Sequence, residues 1–263
     1  MNVLKDWDIE RYNRAIDGRA SSAGPPCPRC GHPLRNGYCY YCGTGKRPSK
    51  SPQQRAEDEA RALQIWEQGV PITGTLAERY LIQHRKIRLL PPNVDGVLRF
   101  HPQCPFDYKQ TVPALLALVR DINTDHRPCG VHRTPLHETL GKLGPPRAYG
   151  TFYRTAIKLW PGPDEAGRLT IGEGIETTLS FVQIKPELAP AWAVGTAGNL
   201  GAFPILDDVK QLHIAVDNDS EDRGNIGQIK AQQCGGRYGA FGIPVNYYKP
   251  KGYKDFNDYL RGD

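Results

Sequence analysis

From residue 168 onward, short apolar runs alternate with helical patterns. "RLTIG" (168–172) precedes a helix over 175–183, and "AWAVG" (191–195) precedes a short helical turn near Leu200. "LHIAV" (212–216) precedes a helix over 225–234, and "PVNYY" (244–248) precedes a last helix from Asp255. Apolar runs this short, each followed by a helix, predict βαβα units in a mainly parallel sheet with helices on both faces. Ligands of such sheets gather at the carboxyl ends of the strands.

The preceding stretch has a different pattern. Helical periodicity begins near Gln53, with Ala60, Leu63 and Ile65 or Trp66 on one face, and stops at "GVP" (69–71). Thr75 and Glu78 form a capping-box pattern that opens a helix to about His84. Strand-like runs follow at 97–100, 114–122 and 130–136, the last two joined by the polar "NTDHRPC" of a hairpin loop. A small α+β unit is expected here. Residues 43–55, "GTGKRPSKSPQQR", have the Gly, Pro, Ser and Lys content of a flexible tether. The domains expected are an N-terminal extension (1–22), a cysteine module (23–47), a linker (48–59), an α+β subdomain (60–164) and an α/β domain (165–263).

Composition refines this outline. The 263 residues are 39% hydrophobic, a globular value that excludes general disorder. The charged start "MNVLKDWDIERYNRAIDGRA" is no signal pattern, and no apolar run reaches about 18 residues, so a soluble, cytoplasmic protein without a membrane partner is expected. The net charge is +6, yet Gly18 to Ala56 alone carries seven Lys and Arg and no acid. A basic module on a nearly neutral body favours a polyanion such as nucleic acid; the alternative is a solvated tail.

Four of the seven cysteines cluster in "CPRCGHPLRNGYCYYC", as Cys27, Cys30, Cys39 and Cys42. Two C-x-x-C knuckles framing an Asn-Gly turn predict a tetrahedral structural Zn²⁺ site, a zinc ribbon that metal rather than a core would hold folded; a redox pair is the alternative. His32 could replace one thiolate. Tyr38, beside Arg29 and Arg35, suits stacking on unpaired bases, or covers the zinc hairpin. The "GTGK" at 43–46 lacks the frame of a phosphate-binding loop and no such loop stands elsewhere in the sequence, so an ATP-driven helicase is not expected.

Acids stand at the ends of the predicted parallel strands. Glu173 ends the first, Asp217 and Asp219 end the third, and Asp255 and Asp258 follow the fourth. In D-x-D on an extended segment, both carboxylates project to the same side. Converging carboxylates repel one another unless a cation neutralises them, and oxygen-only ligation selects Mg²⁺ or Mn²⁺. An isolated Asp at a strand end is equally a turn residue or a helix cap; three acidic motifs at successive strand ends are harder to explain that way. Glu176 suits a place supporting those acids from behind, or the helix dipole, and Asp207, Asp208, Glu221 and Asp222 suit mostly solvated positions.

"LTIGEGIET", "HIAVDNDSEDRGNIG" and "KGYKDFNDYL" resemble the Toprim domains of DnaG-type primases, topoisomerases, some nucleases and recombination mediators. With "IWEQGVPITGTLAERYLIQHRKI", "PALLALVRDI" and "GVHRTPL", the chain is similar over roughly 60–260 to Toprim primases of phages, plasmids and mobile elements. The resemblance implies a catalytic Glu173, metal ligands at Asp217 and Asp219, and a further acid at Asp255. Thr177 departs from the DnaG-type pattern, which has Asp there.

The function this implies is a DNA-dependent RNA primase making short primers on single-stranded DNA from ribonucleoside triphosphates, with structural Zn²⁺, catalytic Mg²⁺ or Mn²⁺ and a separate replicative helicase. Arg133, Lys142 and Arg147 are candidates for holding triphosphate or template. A Toprim nuclease and a non-catalytic recombination mediator are the alternatives. The chain has no room for the tyrosine-bearing domains of a topoisomerase.

Overall fold

The computed structural model describes residues 50–107, 110–122, 126–218 and 225–262. The cysteine cluster, with Arg29, Arg35 and Tyr38, and the second acid of the D-x-D, Asp219, lie outside the described residues. The chain divides into units 1–54 and 55–263, and the described elements belong to the second unit, with the first helix beginning just ahead of it in sequence.

Helix α1 (Pro52–Glu67) starts where sequence chemistry puts it. The Ser51 hydroxyl accepts from the Gln54 amide at 3.1 Å, and Gln54 Oε1 accepts from the Ser51 N–H at 3.0 Å, a reciprocal capping box ahead of a proline at the first helical position. Its inward stripe is Ala62, Ile65 and Trp66. Ala60 is exposed, so the buried face is rotated from the expected one. The cause is tertiary: Trp66 seats its indole under the Arg99 guanidinium, 4.5 Å from the ring centre. Helix α2 (Leu76–Arg79) is capped by Thr75, while Glu78 accepts from the Gly74 N–H at 2.8 Å. The expected helix to His84 continues as a π-turn over Tyr80–His84.

Three long antiparallel strands follow, β1 (Leu98–Asp107), β2 (Gln110–Asp121) and β3 (Pro128–His137). Short strands β4 (Gly141–Lys142) and β5 (Arg147–Gly150) pair with β3, and β6 (Thr155–Ala156) pairs with β2. Strand alternation separates two faces. One carries Leu98, Leu115, Ala117 and Val119; the other carries the cross-strand row Arg99, Leu116, Arg133, Arg147.

The C-terminal part is the α/β unit the apolar runs predict: β7 (Arg168–Gly172), α3 (Ile175–Ile184), β8 (Ala191–Ala193), α4 (Ala197–Ala202), β9 (Gln211–Ala215), α5 (Ile226–Ala240), β10 (Val245–Tyr248) and α6 (Phe256–Arg261). Its four strands run parallel in the order β10-β9-β7-β8. Helices α4 and α5 pack together on one face, and α3 and α6 on the other. One apolar core joins the two sheets, since Tyr80, Leu98, Leu115 and Ala117 pack with Ile175 and Leu179 of α3. Neither half could expose these faces without losing burial on both sides.

Close backbone approach is required at Gly172. A Cβ there would lie 2.4 Å from Thr178 Oγ1, a hydroxyl that donates to the Gly174 carbonyl at 2.7 Å and locks the first turn of α3. Gly172→Ala is expected to lower stability by about 2 kcal/mol, roughly 4–8 °C in melting temperature. At exposed Gly236 in α5 an added Cβ meets nothing within 4 Å, so Gly236→Ala should raise stability by up to about 1 kcal/mol. Thermal melts of both variants, read against wild type, check the pair.

Candidate metal centre and its buried support

Parallel pairing sets the geometry of the acids. Gly172 at the end of β7 lies opposite Ala215 at the end of β9. Glu173 therefore leaves the sheet one residue beyond that pair, and Asp217 two residues beyond it on the adjacent strand. Glu173 and Asp217 are half-buried. The Gly195 N–H, just past β8, holds the Glu173 carbonyl at 2.8 Å, and Gly195 adopts φ +82°, which a side chain would disfavour. The Thr177 hydroxyl, in the first turn of α3, donates to Asp217 Oδ1 at 3.0 Å.

The next residue ties this tip to the C-terminal segment. The Asn218 side-chain amide donates to the Pro250 and Tyr253 carbonyls at 2.6 and 2.8 Å, and its N–H donates to the Lys254 carbonyl at 2.7 Å. Asp255, one residue further, caps α6: its Oδ1 accepts from the Asp258 N–H at 2.8 Å. Among the described residues, no three His, Cys, Asp or Glu side chains group as a metal cluster, and Asp219 falls outside that set. The donors at the described strand tips are carboxylate and hydroxyl oxygens, which fits a hard divalent cation and not zinc.

Sequence reasoning missed the polar hub beside these acids. Glu176, read as an acid supporting the site or the helix dipole, has a side chain only 16% exposed, and it accepts from the Tyr80 hydroxyl at 2.6 Å while Lys142 Nζ approaches to 3.4 Å. Burial pushes its carboxyl upward, but the Lys142 ammonium, the Tyr80 hydroxyl and Arg85 outweigh it and hold the pKa at about 2. Burial and the Glu176 charge push the Tyr80 pKa far up, so Tyr80 remains a donor. Arg85 extends the network: its Nε donates to Tyr80 Oη at 2.8 Å and its Nη1 to Asn257 Oδ1 at 3.1 Å. Buried Asn257 donates in turn to the Arg85 carbonyl and to Ser180 Oγ, at 2.8 and 2.9 Å. The π-turn, α3 and α6 are thereby locked together. Burial pushes the nearby His132 imidazole down to about 4, so it is neutral at pH 7.

The three basic candidates of this region do not share one surface. Lys142 reaches the acid-bearing helix through Glu176. Arg133 and Arg147 pair across β3 and β5, on the face turned away from α3. Arg133 is 5% exposed, donates to the Pro105 carbonyl, and lies against the rings of Phe106 and Tyr149, 5.6 and 5.4 Å from their centres. Arg147 stacks on the same Phe106 at 5.2 Å.

The depressed pKa of Glu176 has a stability consequence of defined sign. Its contribution is fully present above about pH 4.5, the ordinary glutamate value, and is lost as pH falls toward 2. Glu176→Gln should cost about 3 kcal/mol at pH 7. The gap between wild type and variant should narrow on acidification from pH 4.5 to 2, as urea titrations at several pH values would record.

Residues 168–263 match the Toprim domain family, and residues 56–158 match a domain of unknown function, DUF7146. No curated protein matches the chain. Among solved structures, the primase fragment of the bacteriophage T7 primase-helicase protein is similar at 16% identity and a TM-score of 0.43, covering 92% of this chain and 95% of that one. The Aquifex aeolicus primase, in its zinc-binding and RNA polymerase domains, is similar at 12% identity and a TM-score of 0.46, covering 83% of this chain and 60% of that one. No helix among the described residues is long and apolar enough to cross a membrane. The strand tips that carry Glu173 and Asp217 fall within residues 168–263, the segment that matches the Toprim domain family.

Proposed function

We propose that the chain is a DNA-dependent RNA primase of a phage, plasmid or mobile element, joining ribonucleotides on single-stranded DNA. The observation that carries this reading is the placement of Glu173 and Asp217 at the tips of adjacent parallel strands in the segment that matches the Toprim domain, with the Thr177 hydroxyl on Asp217. Glu173, Asp217 and Asp219 would hold Mg²⁺ or Mn²⁺, with Asp255 a further acid that also caps α6. Such a cation supplies charge neutralisation at the phosphates and acidifies the attacking hydroxyl. In the joining step a 3′-hydroxyl oxygen bonds to the α-phosphorus of the incoming nucleotide as the bond to pyrophosphate breaks. Glu173, as a base, accepts the hydroxyl proton; as a ligand, it leaves that proton to water.

Lys142, with 25% of its side chain exposed and its charge already oriented by Glu176, is suited to a triphosphate oxygen. Arg147, half-buried on the other face, is assigned to template rather than to the reacting nucleotide, and Arg133 beside it is buried against the same Phe106 ring. Cys27, Cys30, Cys39 and Cys42 would form the Zn²⁺ ribbon, whose Arg29, Arg35 and Tyr38 inspect unpaired template. A separate replicative helicase would supply that template.

The test is incubation with single-stranded DNA, labelled ribonucleoside triphosphates and Mg²⁺ or Mn²⁺. Short labelled oligomers are expected. Shortened template would instead select a nuclease, and neither product a recombination-mediator role. Asp217→Asn and Glu173→Gln should each abolish joining. Metal-free melting temperatures at or above wild type should accompany that loss, since removing one of two neighbouring carboxylate charges relieves repulsion. An active Glu173→Gln variant would contradict the assignment.

A further inference from the structure

Three consecutive side chains at the start of α3 point to three different partners. Glu176 meets Tyr80 and Lys142 from the antiparallel half, and Thr178 closes back on the Gly174 carbonyl. Between them, Thr177 turns toward Asp217, with its hydroxyl 3.0 Å from Oδ1. Thr177 is only 4% exposed, so water does not compete freely for that hydroxyl. A threonine hydroxyl has one proton, and here it is spent on the carboxylate.

We infer that Thr177 is a positioning residue for the cation site, setting the rotation of the Asp217 carboxylate through its hydroxyl. The inference rests on the metal-binding role proposed for Asp217 and adds a residue that is not itself a ligand. A carboxylate alone at a strand tip can rotate about its terminal bond, and each rotation presents a different lone pair to the cation. A donor fixed at Oδ1 selects one range of rotations. The donor is fixed in turn because α3 is anchored on both sides of it, by the Glu176 hub and by the Thr178 bond at 2.7 Å to Gly174. Hydrogen-bond partners of metal ligands of this kind typically alter affinity by about 10–100-fold when removed.

The experiment measures Mn²⁺ alone, with no nucleotide or DNA, by the paramagnetic resonance signal of the free ion titrated against full-length protein. Thr177→Val keeps the branched shape and removes the donor; Thr177→Ser keeps the donor. Thr177→Val should weaken Mn²⁺ binding by about 10-fold or more, and Thr177→Ser should restore most of it. Melting in EDTA separates this from a packing effect, and if Thr177→Val is unfolded at the assay temperature, Thr177→Ala is titrated instead. Wild-type affinity in the folded donor-free variant overturns the inference, as does Thr177→Ser binding as weakly as that variant, or wild type that binds no Mn²⁺. Thr177-dependent Mn²⁺ binding in a protein that joins no nucleotides would support the inference while removing the primase reading.

Discussion

A carboxylate withdrawn from water has to be met by donors, and in this protein the donors for Glu176 come from a helical turn and a strand far from it in sequence. Tyr80 and Lys142 belong to the antiparallel half, and Glu176 to the first turn of the helix that follows the β7 strand tip. Leaving such a charge unmatched costs more than the pair gains, so the geometry has to be satisfied in full or abandoned. Arg85 and Asn257 complete it by reaching α6. The same contact therefore fixes three elements relative to one another, around an apolar core that both sheets share.

The acids of the Toprim domain depend on that support. Glu173 lies three residues before Glu176, and Thr177, immediately after it, holds Asp217. A displacement of the first turn of α3 would move both the turn that carries Glu173 and the hydroxyl that orients Asp217. Asn218 adds a second constraint, tying the β9 tip to the loop that leads into the Asp255 cap. The antiparallel half thus contributes to the site by fixing the helix beside it.

The features legible in the sequence are those set by local physics. Apolar runs at 168–172, 191–195, 212–216 and 244–248 mark strands because both faces of a parallel sheet are buried, and acids directly after the first and third mark the carboxyl edge at which ligands of such sheets gather. Thr75 and Asp255 read as helix starts because capping is a contact within a few residues. The Glu176 hub was illegible because its bonds join positions 96 and 34 residues apart, and nothing in Tyr80 or Lys142 alone announces a partner. The face of α1 was misplaced by a similar cause, the seating of Trp66 against Arg99. Arg133 reads by type as a candidate for triphosphate or template, yet its position on β3 buries it against Phe106.

The claim that the two sheets form one unit through Glu176 is tested most directly by a double-mutant cycle in chemical denaturation. The single variants Lys142→Met and Glu176→Gln and their combination would be compared with wild type at pH 7. A coupling energy of about 1–3 kcal/mol, with one cooperative transition in every variant, is the predicted result. Effects that add to within about 0.5 kcal/mol would show that the ion pair carries no coupling, and would contradict the account.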